Sequence, residues 1–317
     1  MADTVPAGMV APTKSGTNQL WRNVKRHKSI YILSSISIIY FAIFKYVPIW
    51  NSQIAFRDFQ ALQGVVGSPW VGLRNFSDFV HSYYFWELIR NTVMYSVGKM
   101  IISIPSAIFL AICLYECRIN FLRKTVQTLA YLPHFLSWVI MYGIIMALLS
   151  PSSGLLNDII KLFGGQPVSF MTDTNSFPWI VLLSDAWKES GWSAIIFLAA
   201  LMGIDPSLFE AAMVEGASAW QRVRYITLPS IRPVIVMVFL LRMGTILDAG
   251  FNQIFMLYSL PVYSVADIID TWIYRQGILE FRFGLATAVG LFKGAFGFIL
   301  LFVSNKLVRK TSGTGLY

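Results

Sequence analysis

Charged residues are scarce in this chain. Only 13% of its 317 residues are Asp, Glu, Lys or Arg, and 56% are hydrophobic, whereas an ordinary soluble domain is about 25% charged. This composition excludes a soluble globular protein and predicts an integral membrane protein. The net charge of +9 comes from small basic clusters between apolar runs, which is typical of membrane orientation signals and not of a nucleic-acid-binding surface.

Cysteine and histidine are also rare. Cys113 and Cys117 stand four residues apart at the end of one apolar run, where they suit apolar packing inside a span better than a disulfide or a metal site. The histidines, His27, His81 and His134, lie on separate segments, so they assemble no catalytic group. The sequence also has no Gly-x-x-x-x-Gly-Lys-Ser/Thr loop, which excludes ATP binding through a P-loop. We therefore expect neither an enzyme nor a cofactor or metal bound by this chain.

Six apolar stretches are long enough to cross a membrane, which takes about 20 helical residues. They lie at about 30–49, 91–115, 126–149, 178–203, 233–255 and 285–304. The predicted fold class is all-α integral membrane, with six transmembrane helices. The predicted organisation is a single membrane domain over 30–310 that includes a loop at 205–232, an amino-terminal tail at 1–29 and a carboxy-terminal tail at 311–317.

Lysine and arginine are divided unequally between the segments that connect the spans. Fourteen lie in the two tails, the second loop and the fourth loop, and six lie in the other three loops. Because cytoplasmic loops carry the excess of positive charge, both termini and the 205–232 loop are predicted to be cytoplasmic. The remaining five fall within the spans, at Lys45, Lys99, Lys188, Arg242 and Lys293.

The cytoplasmic loop contains the polar stretch EAAMVEGASAWQRVRYITLP, which predicts two short helices. Asp205 is placed to cap the first helix, and Gly216 can adopt the positive φ that ends it. Ser218 is placed to cap the second helix. Pro229 and Pro233 are expected to prevent that helix from continuing into the fifth span.

The first of these helices has an apolar top with a charged edge, formed by Leu208, Phe209, Ala212, Met213 and Glu210. One interpretation is an amphipathic linker that lies on the lipid surface. The other is a docking element for a soluble partner. Docking is favoured because Ala211 and Ala212 leave room for close approach, whereas a lipid-seeking helix favours bulky side chains.

The spacing of residues in this loop resembles the EAA motif of permease subunits in binding-protein-dependent ABC importers. The matching positions are Glu210, Ala211, Ala212 and Gly216, followed by the Ile-x-Leu-Pro of Ile226, Thr227, Leu228 and Pro229. The resemblance implies a coupling helix that contacts an ATP-binding subunit through Glu210, Ala211, Ala212 and Gly216. Two positions depart from the motif, since Glu215 stands where Asp is usual and Val223 where an aromatic residue is common.

The stretch VYSVADIIDTWIYRQGILEFRFGLATAVGLFKG is similar to the LplB-like, MalF/MalG-related branch of carbohydrate permeases. This resemblance implies a MalF/MalG-like type I ABC importer fold in a bacterial cytoplasmic (inner) membrane. It implies import of oligosaccharides, including fragments of acidic polysaccharides such as alginate or rhamnogalacturonan. The implied partners are a second permease subunit in a heterodimer, two ATP-binding subunits that hold ATP and Mg, an external solute-binding protein, the oligosaccharide and membrane lipid, with no nucleic acid. The alternative is an ion-coupled secondary transporter of a polar solute, but no convincing internal repeat of the kind common in such folds is found.

Ionisable and aromatic residues inside the spans indicate a substrate path, because a charge in a span usually faces a cavity or a partner. The predicted path residues are Trp187, Lys188, Glu189 and Trp192 in the fourth span, Asp248, Asn252 and Gln253 in the fifth, and Tyr131, His134, Trp138 and Tyr142 in the third. Two alternatives remain open. In the first, Asp185 and Lys188, which are three residues apart, neutralise one another instead of facing the path. In the second, His134 forms a hydrogen bond to a neighbouring helix instead of facing the path.

Arg242 and Lys293 lie elsewhere in the last two spans. They are placed either to attract an acidic sugar or to pair with carboxylates of a partner chain, and pairing is the favoured interpretation. Gly290 and Gly294 form a Gly-x-x-x-Gly spacing, for which close packing inside the bundle is favoured over a contact between permease subunits.

Overall fold

The computed structural model of the protein describes residues 26–312. Within that range the backbone is helical or irregular, and its only β-type pairing is an isolated bridge between Arg57 and Trp70. Residues 1–25 of the predicted amino-terminal tail and 313–317 of the carboxy-terminal tail lie outside the described residues. The orientation predicted for the two termini therefore stays a prediction.

The helices are numbered in chain order. The α-helices are α1 (Lys28–Phe41), α2 (Val47–Asn51), α3 (Gly64–Gly67), α4 (Arg74–Val80), α5 (Phe85–Glu116), α6 (Asn120–Tyr131), α7 (Trp138–Leu149), α8 (Leu155–Leu162), α9 (Phe177–Met202), α10 (Pro206–Val214), α11 (Ala219–Arg222), α12 (Leu228–Met243), α13 (Phe251–Leu257), α14 (Tyr263–Ala266), α15 (Ile269–Tyr274) and α16 (Phe283–Ser312). Three π turns interrupt or extend them at Ala42–Tyr46, Val223–Thr227 and Arg275–Leu279. Shorter 3-10 turns lie at Ser52–Phe56, Leu132–Phe135, Ile246–Asp248 and Leu260–Val262.

Four helices of the described chain are long and apolar enough to cross a membrane, and two bent helix pairs make up to six spans. The four helices are Lys28–Phe56, Phe85–Glu116, Ala219–Met243 and Phe283–Lys310. The bent pairs are Asn120–Phe135 with Trp138–Leu149 and Phe177–Met202 with Pro206–Val214. The predicted all-α membrane fold is confirmed.

The chain divides into two compact units, with the boundary after Gln53. In the described part of the first unit, α1 and α2 bury no side chain. The second unit begins at Ile54 and contains every cluster of buried apolar residues described below. The single domain predicted over 30–310 stays a prediction.

The second unit is organised around α5 and α9, which form its most extensive helix pair. One apolar cluster joins these two helices to α13 and the segment that follows it, through Tyr95, Phe177, Val181, Ile254 and Ile268. A second cluster joins them to α12, through Ala107, Ala111, Ala194, Phe197 and Ile231. A third joins α4 and α5 to α15 and α16, through Phe79, Leu88, Trp272 and Val289. The helix α9 therefore contacts both the second span and the fifth.

The third span, predicted over 126–149, is built from two helices with a break between them. α6 ends in the 3-10 turn Leu132–Phe135, and after two further residues α7 starts at Trp138, at an angle of 113°. Pro133 lies in the 3-10 turn, where it has no N–H to donate and disfavours a helical residue before it. The Ser137 hydroxyl then caps α7 by accepting the Ile140 N–H at 3.3 Å.

The fifth span also differs from its predicted form. Its helix starts at Ala219, inside the 205–232 loop, and runs to Met243 through both Pro229 and Pro233. The expectation that these prolines separate the loop from the span was therefore wrong. The π turn Val223–Thr227 lies just before Pro229, and such a wider turn accommodates a ring that would collide with the carbonyl four residues earlier in a regular helix.

Two packing predictions also need correction. Cys113 is exposed and Cys117 is partly exposed, so the free thiols are not buried inside the bundle as expected. A Cβ added at Gly290 or Gly294 would meet no atom within 4 Å in the described chain. The favoured interpretation of this glycine pair, close packing inside the bundle, was wrong.

One glycine is required by close helix packing. A Cβ at Gly191 in α9 would collide with the backbone carbonyl of Ala130 in α6, and neither backbone can yield without moving its helix. Gly191→Ala is expected to lower the free energy of unfolding by about 1–3 kcal/mol or more, since overpacking usually costs about that amount. Thermal unfolding of the purified protein measures the effect. Gly143→Ala in α7 is the matched control, because its Cβ would meet nothing within 4 Å; equal midpoints for the two variants would contradict the prediction.

Candidate functional site

The loop helix α10 begins with the predicted cap. Pro206 is its first residue, and the Asp205 carboxylate accepts the Ser207 backbone N–H at 2.9 Å. This bond and the Ser207 hydroxyl lower the pKa of Asp205 below its usual value, because both donors favour the ionised carboxylate. α10 leaves the end of α9 at an angle of 72°, so it lies across the axis of the fourth span.

The end of α10 confirms the role predicted for Gly216. This residue has φ of +80°, and a Cβ there would meet no atom within 4 Å, so glycine is required by backbone conformation and not by space. The turn is closed by the Ala217 N–H, which donates to the Ala212 carbonyl at 2.9 Å. Ser218 then caps α11, with the reciprocal bonds to Gln221 of a capping box.

The surface of α10 is almost entirely exposed, and none of its residues is buried. Glu210, Ala211, Leu208 and Met213 are exposed to solvent. Phe209 differs from them, because its ring packs against the apolar cluster of α5, α9 and α12, 6.2 Å from the ring of Tyr115. Phe209 thus attaches the helix to the bundle, while the other residues form a free face that can receive a partner.

Two neighbouring cavities lie among the spans. The larger, a cleft of about 770 Å³, is lined by residues of α7, α13, α15, α16 and the turn before α13. The smaller, of about 330 Å³, is lined by residues of α5, α7, α9, α12 and the same turn. Trp138, Asp248 and Gly250 line both, so the two cavities meet at these residues.

The predicted path residues occupy different positions around these cavities. Asp248 and Asn252 line the larger cavity, and Asp248 and Glu189 line the smaller one. Trp187 lines a separate apolar groove between α7 and α9, and Tyr131 is the half-buried last residue of α6. Their role in a substrate path stays a prediction.

Glu189 is held by the third span. Its carboxylate lies 3.1 Å from Nδ1 of His134, and the His134 ring stacks on Trp192 with their centroids 4.7 Å apart. The structure therefore shows the open alternative for His134, a hydrogen bond to a neighbouring helix. The bond fixes the side chain of Glu189 at the cavity wall.

Lys188 closes the break in the third span. Its Nζ donates to the carbonyls of Pro133 at 3.1 Å, His134 at 2.6 Å and Leu136 at 2.7 Å. Lys188 is buried, with 6% of its surface exposed. Its Nζ also lies 5.7 Å from the centroid of the Trp138 ring. Lys188 therefore stands behind the cavity wall, where it positions Trp138.

Lys99 closes a second break in the helical structure, between α12 and α13, in a similar way. Its Nζ donates to the Ala249 carbonyl at 2.9 Å and to the side chain of Gln253, and it pairs with Asp185 at 3.3 Å. Ala249 has a φ of +43°, an uncommon conformation for a residue with a Cβ. The buried Gln253 amide also donates to the Val181 carbonyl at 2.7 Å. Asp185 thus pairs with Lys99 and not with Lys188, the other open alternative.

Lys293 joins three segments at the wall of the larger cavity. Its Nζ lies 2.9 Å from the Asp248 carboxylate and 2.8 Å from the Asp270 carboxylate. The favoured interpretation, pairing with carboxylates of a partner chain, was wrong for Lys293, because both carboxylates belong to this chain. Asp270 raises no signal in the sequence, since its segment reads as an interfacial helix outside the spans.

Several residues that line the cavities were not among the predicted path residues. They are Ser96, Lys99, Ser103, Asp185, Arg242, Thr245, Asp270 and Lys293. Some of these residues are charged and lie within spans. The rule that selected Lys188, an ionisable side chain at membrane depth, could also have found them. The serines and Thr245 give no such signal, because hydroxyls are common in spans.

The carbonyls bound by Lys188 supply a test of its role. Lys188→Met keeps an unbranched side chain that is one atom shorter, but it leaves three carbonyls of the broken span without their donor, and is expected to lower stability by about 2–5 kcal/mol. Thermal unfolding of the purified protein measures this loss. Lys161→Met is the control, because Lys161 lies in an exposed pair with Asp158 at 3.2 Å. An unchanged midpoint for Lys188→Met would show that the break does not need its lysine.

Comparison with known proteins identifies the family. The profile of the family described as binding-protein-dependent transport system inner membrane component matches residues 88–313. Two relatives from Bacillus subtilis (strain 168) are similar over nearly the whole chain. The polygalacturonan/rhamnogalacturonan transport system permease protein YteP is 40% identical, with 92% of this chain and 91% of YteP covered. Protein LplB is 38% identical, with 99% of this chain and 100% of LplB covered.

A solved structure is similar throughout the fold. It is a chain of a bacterial alginate ABC transporter in complex with an alginate pentasaccharide-bound periplasmic protein, with a TM-score of 0.86 and 36% identity. The match covers 94% of this chain and 100% of that chain. The MalF/MalG-like type I importer fold, implied by the resemblance of the stretch before and into the last span, is thereby confirmed. This chain belongs to the binding-protein-dependent transport system inner membrane component family and is a permease of an ABC transporter.

Proposed function

We propose that this chain is a transmembrane permease subunit of an ATP-driven importer of oligosaccharides, coupled to separate ATP-binding subunits through α10. The observation that carries the proposal is the connection between α10 and the cavities. α9 and α12 flank the loop that contains α10, and residues of both helices, Glu189 and Arg242, line the smaller cavity. A displacement of α10 is therefore transmitted to the cavity walls through two helices, α9 and α12.

The cavities have the chemistry that a sugar requires. Trp138, Phe251 and Tyr274 provide flat aromatic faces in the larger cavity, and Asn252 and Asp248 provide hydrogen-bonding groups beside them. The larger cavity, of about 770 Å³, falls in the usual range of ligand pockets, about 300–1,000 Å³.

The substrate class follows from the relatives. YteP is named for polygalacturonan and rhamnogalacturonan, and the similar solved transporter was crystallised with an alginate pentasaccharide on its periplasmic protein. These polymers carry carboxylates on their sugar units. We infer that this chain transports fragments of an acidic polysaccharide.

The proposed mechanism is alternating access in a bacterial cytoplasmic membrane with both termini inside. A loaded solute-binding protein docks on the outer loops, and ATP with Mg closes two ATP-binding subunits around the coupling helices of this chain and a second permease subunit. The spans then open outward to receive the oligosaccharide, and hydrolysis resets them. The alternative, an ion-coupled secondary transporter, has no use for the exposed face of α10.

Transport by the assembled complex tests the function. Proteoliposomes are prepared with this chain, its partner subunits and the solute-binding protein. They are expected to take up an alginate or galacturonate oligosaccharide only when ATP is present on the side of the membrane that carries the ATP-binding subunits. Uptake is followed with a labelled oligosaccharide. Uptake driven by an ion gradient in the absence of the ATP-binding subunits would contradict the proposal and support the secondary transporter.

Gly216 supplies a test of coupling. Gly216→Leu strains the positive-φ turn and changes the angle of α10. We therefore expect ATP hydrolysis to continue while uptake falls by about tenfold or more. A tenfold fall corresponds to a loss of about 1.4 kcal/mol in the coupling free energy. Glu210→Leu is expected to act in the same direction. Uptake and ATPase rate are measured on the same complexes, after co-purification has shown that they assemble.

Gly164→Leu is the matched control for this experiment. Gly164 also has a positive φ, +77°, and open space around it, but it lies after α8, away from the loop of α10. Leucine strains the backbone equally at both positions. If the Gly164 and Gly216 variants lose uptake to the same degree, the effect belongs to backbone strain and not to coupling.

A further inference from the structure

The charges that line the two cavities are mostly neutralised within the chain. Lys99 pairs with Asp185 at 3.3 Å. Lys293 pairs with Asp248 at 2.9 Å and with Asp270 at 2.8 Å. These two lysines therefore present no free positive charge to a ligand in the cavities.

Arg242 is the exception among the cations that line the cavities. It lies in the last turn of α12, half-buried, at the wall of the smaller cavity. One guanidinium nitrogen donates to the Ser193 hydroxyl of α9 at 3.1 Å, and no carboxylate of the described residues lies within 4.0 Å. A guanidinium has five N–H donors in a planar fork, so most of its donors remain available to a ligand.

The same cavity contains other polar groups that have no partner. The hydroxyls of Ser96 and Ser103 are buried and form no hydrogen bond within the described chain, and both residues line the smaller cavity. Buried hydroxyls normally have a partner. Trp138, at the junction of the two cavities, offers its ring to a sugar face.

We propose that Arg242 is a specificity-determining residue of the transport path, which binds the carboxylate of an acidic sugar unit in the smaller cavity. A planar fork matches the two oxygens of a carboxylate, which gives geometric selection as well as charge. Lys99 and Lys293 cannot take this role, because carboxylates of the chain already hold them. The inference rests on the proposed function, since it assigns one residue of the path to the acidic substrate.

Equilibrium binding to the purified, assembled transporter without its solute-binding protein tests this role. The probes are trigalacturonate and its fully methyl-esterified form, which has the same ring and hydroxyls but no charge. The wild type is expected to bind the acid at least about tenfold more tightly than the ester, as a charged hydrogen bond allows. Arg242→Gln is expected to bind both probes alike. Size-exclusion chromatography confirms that each variant complex is assembled.

Two further variants separate binding from structure. Ser193→Ala removes the bond between α9 and α12 but keeps the guanidinium, so it is expected to retain the preference for the acid. Thr245→Asp changes an exposed residue of the same cavity, three residues beyond Arg242, and is expected to abolish the preference by neutralising the guanidinium. Thr245→Asp also answers the question if Arg242→Gln does not assemble.

The outcomes are distinct from those that test the proposed function. If Arg242→Gln or Thr245→Asp keeps the wild-type preference, or if Ser193→Ala loses it, the assignment of Arg242 is overturned while ATP-driven uptake can still stand. Equal binding of both probes by the wild type, or binding of neither, also overturns it. The proposed function fails separately, when the wild-type complex takes up no acidic oligosaccharide with ATP.

Discussion

Inside a membrane a broken helix leaves backbone carbonyls that no water can reach, and such carbonyls must find donors within the protein. This constraint organises the centre of the chain. The third span is broken before α7, and the carbonyls of its break accept the Nζ of Lys188. A second break in the helical structure lies between α12 and α13, and there the Nζ of Lys99 donates to the Ala249 carbonyl. In both breaks, a lysine from a neighbouring span closes the gap.

The cavities depend on these two closures. Trp138 follows the first break, and Asp248 and Gly250 lie at the second; these three residues line both cavities. A helix break frees backbone and side chains to line a cavity that a regular helix would fill. The lysines stabilise the breaks at membrane depth by donating hydrogen bonds to the free carbonyls. Carboxylates lie near both lysines, since Lys99 pairs with Asp185 and Lys188 lies 4.0 Å from Glu189.

The helix α9 connects this centre to the 205–232 loop. It carries Asp185, Lys188 and Glu189 in one stretch, and at its other end it turns into α10. Gly191, in the same stretch, permits backbone contact with α6. Because interiors are close-packed and transmit displacement, a movement of α10 is expected to be felt at both the broken third span and the cavity wall.

Local features of this fold could be predicted from the sequence, and contacts between helices could not. The ends of α10 follow from Asp205 and Gly216, because a cap and a positive φ are properties of a few adjacent residues. The passage of the fifth span through Pro229 and Pro233 was missed, since the packing of residues such as Ile231 in the α5–α9–α12 cluster overrides the local effect of proline. The pairing of Lys293 with Asp270 required knowledge of which helices are neighbours, which a single sequence does not contain.

The central claim is that the loop helix and the cavity wall move together, and thiol labelling at Thr245 tests it most directly. The assembled transporter would carry Thr245→Cys in a chain whose native Cys113 and Cys117 are replaced by alanine, and the labelling rate would be compared with and without a non-hydrolysable ATP analogue. The account predicts a severalfold change in rate that disappears in the Gly216→Leu background. The same rate with and without nucleotide, or a change that survives the loop substitution, would contradict it.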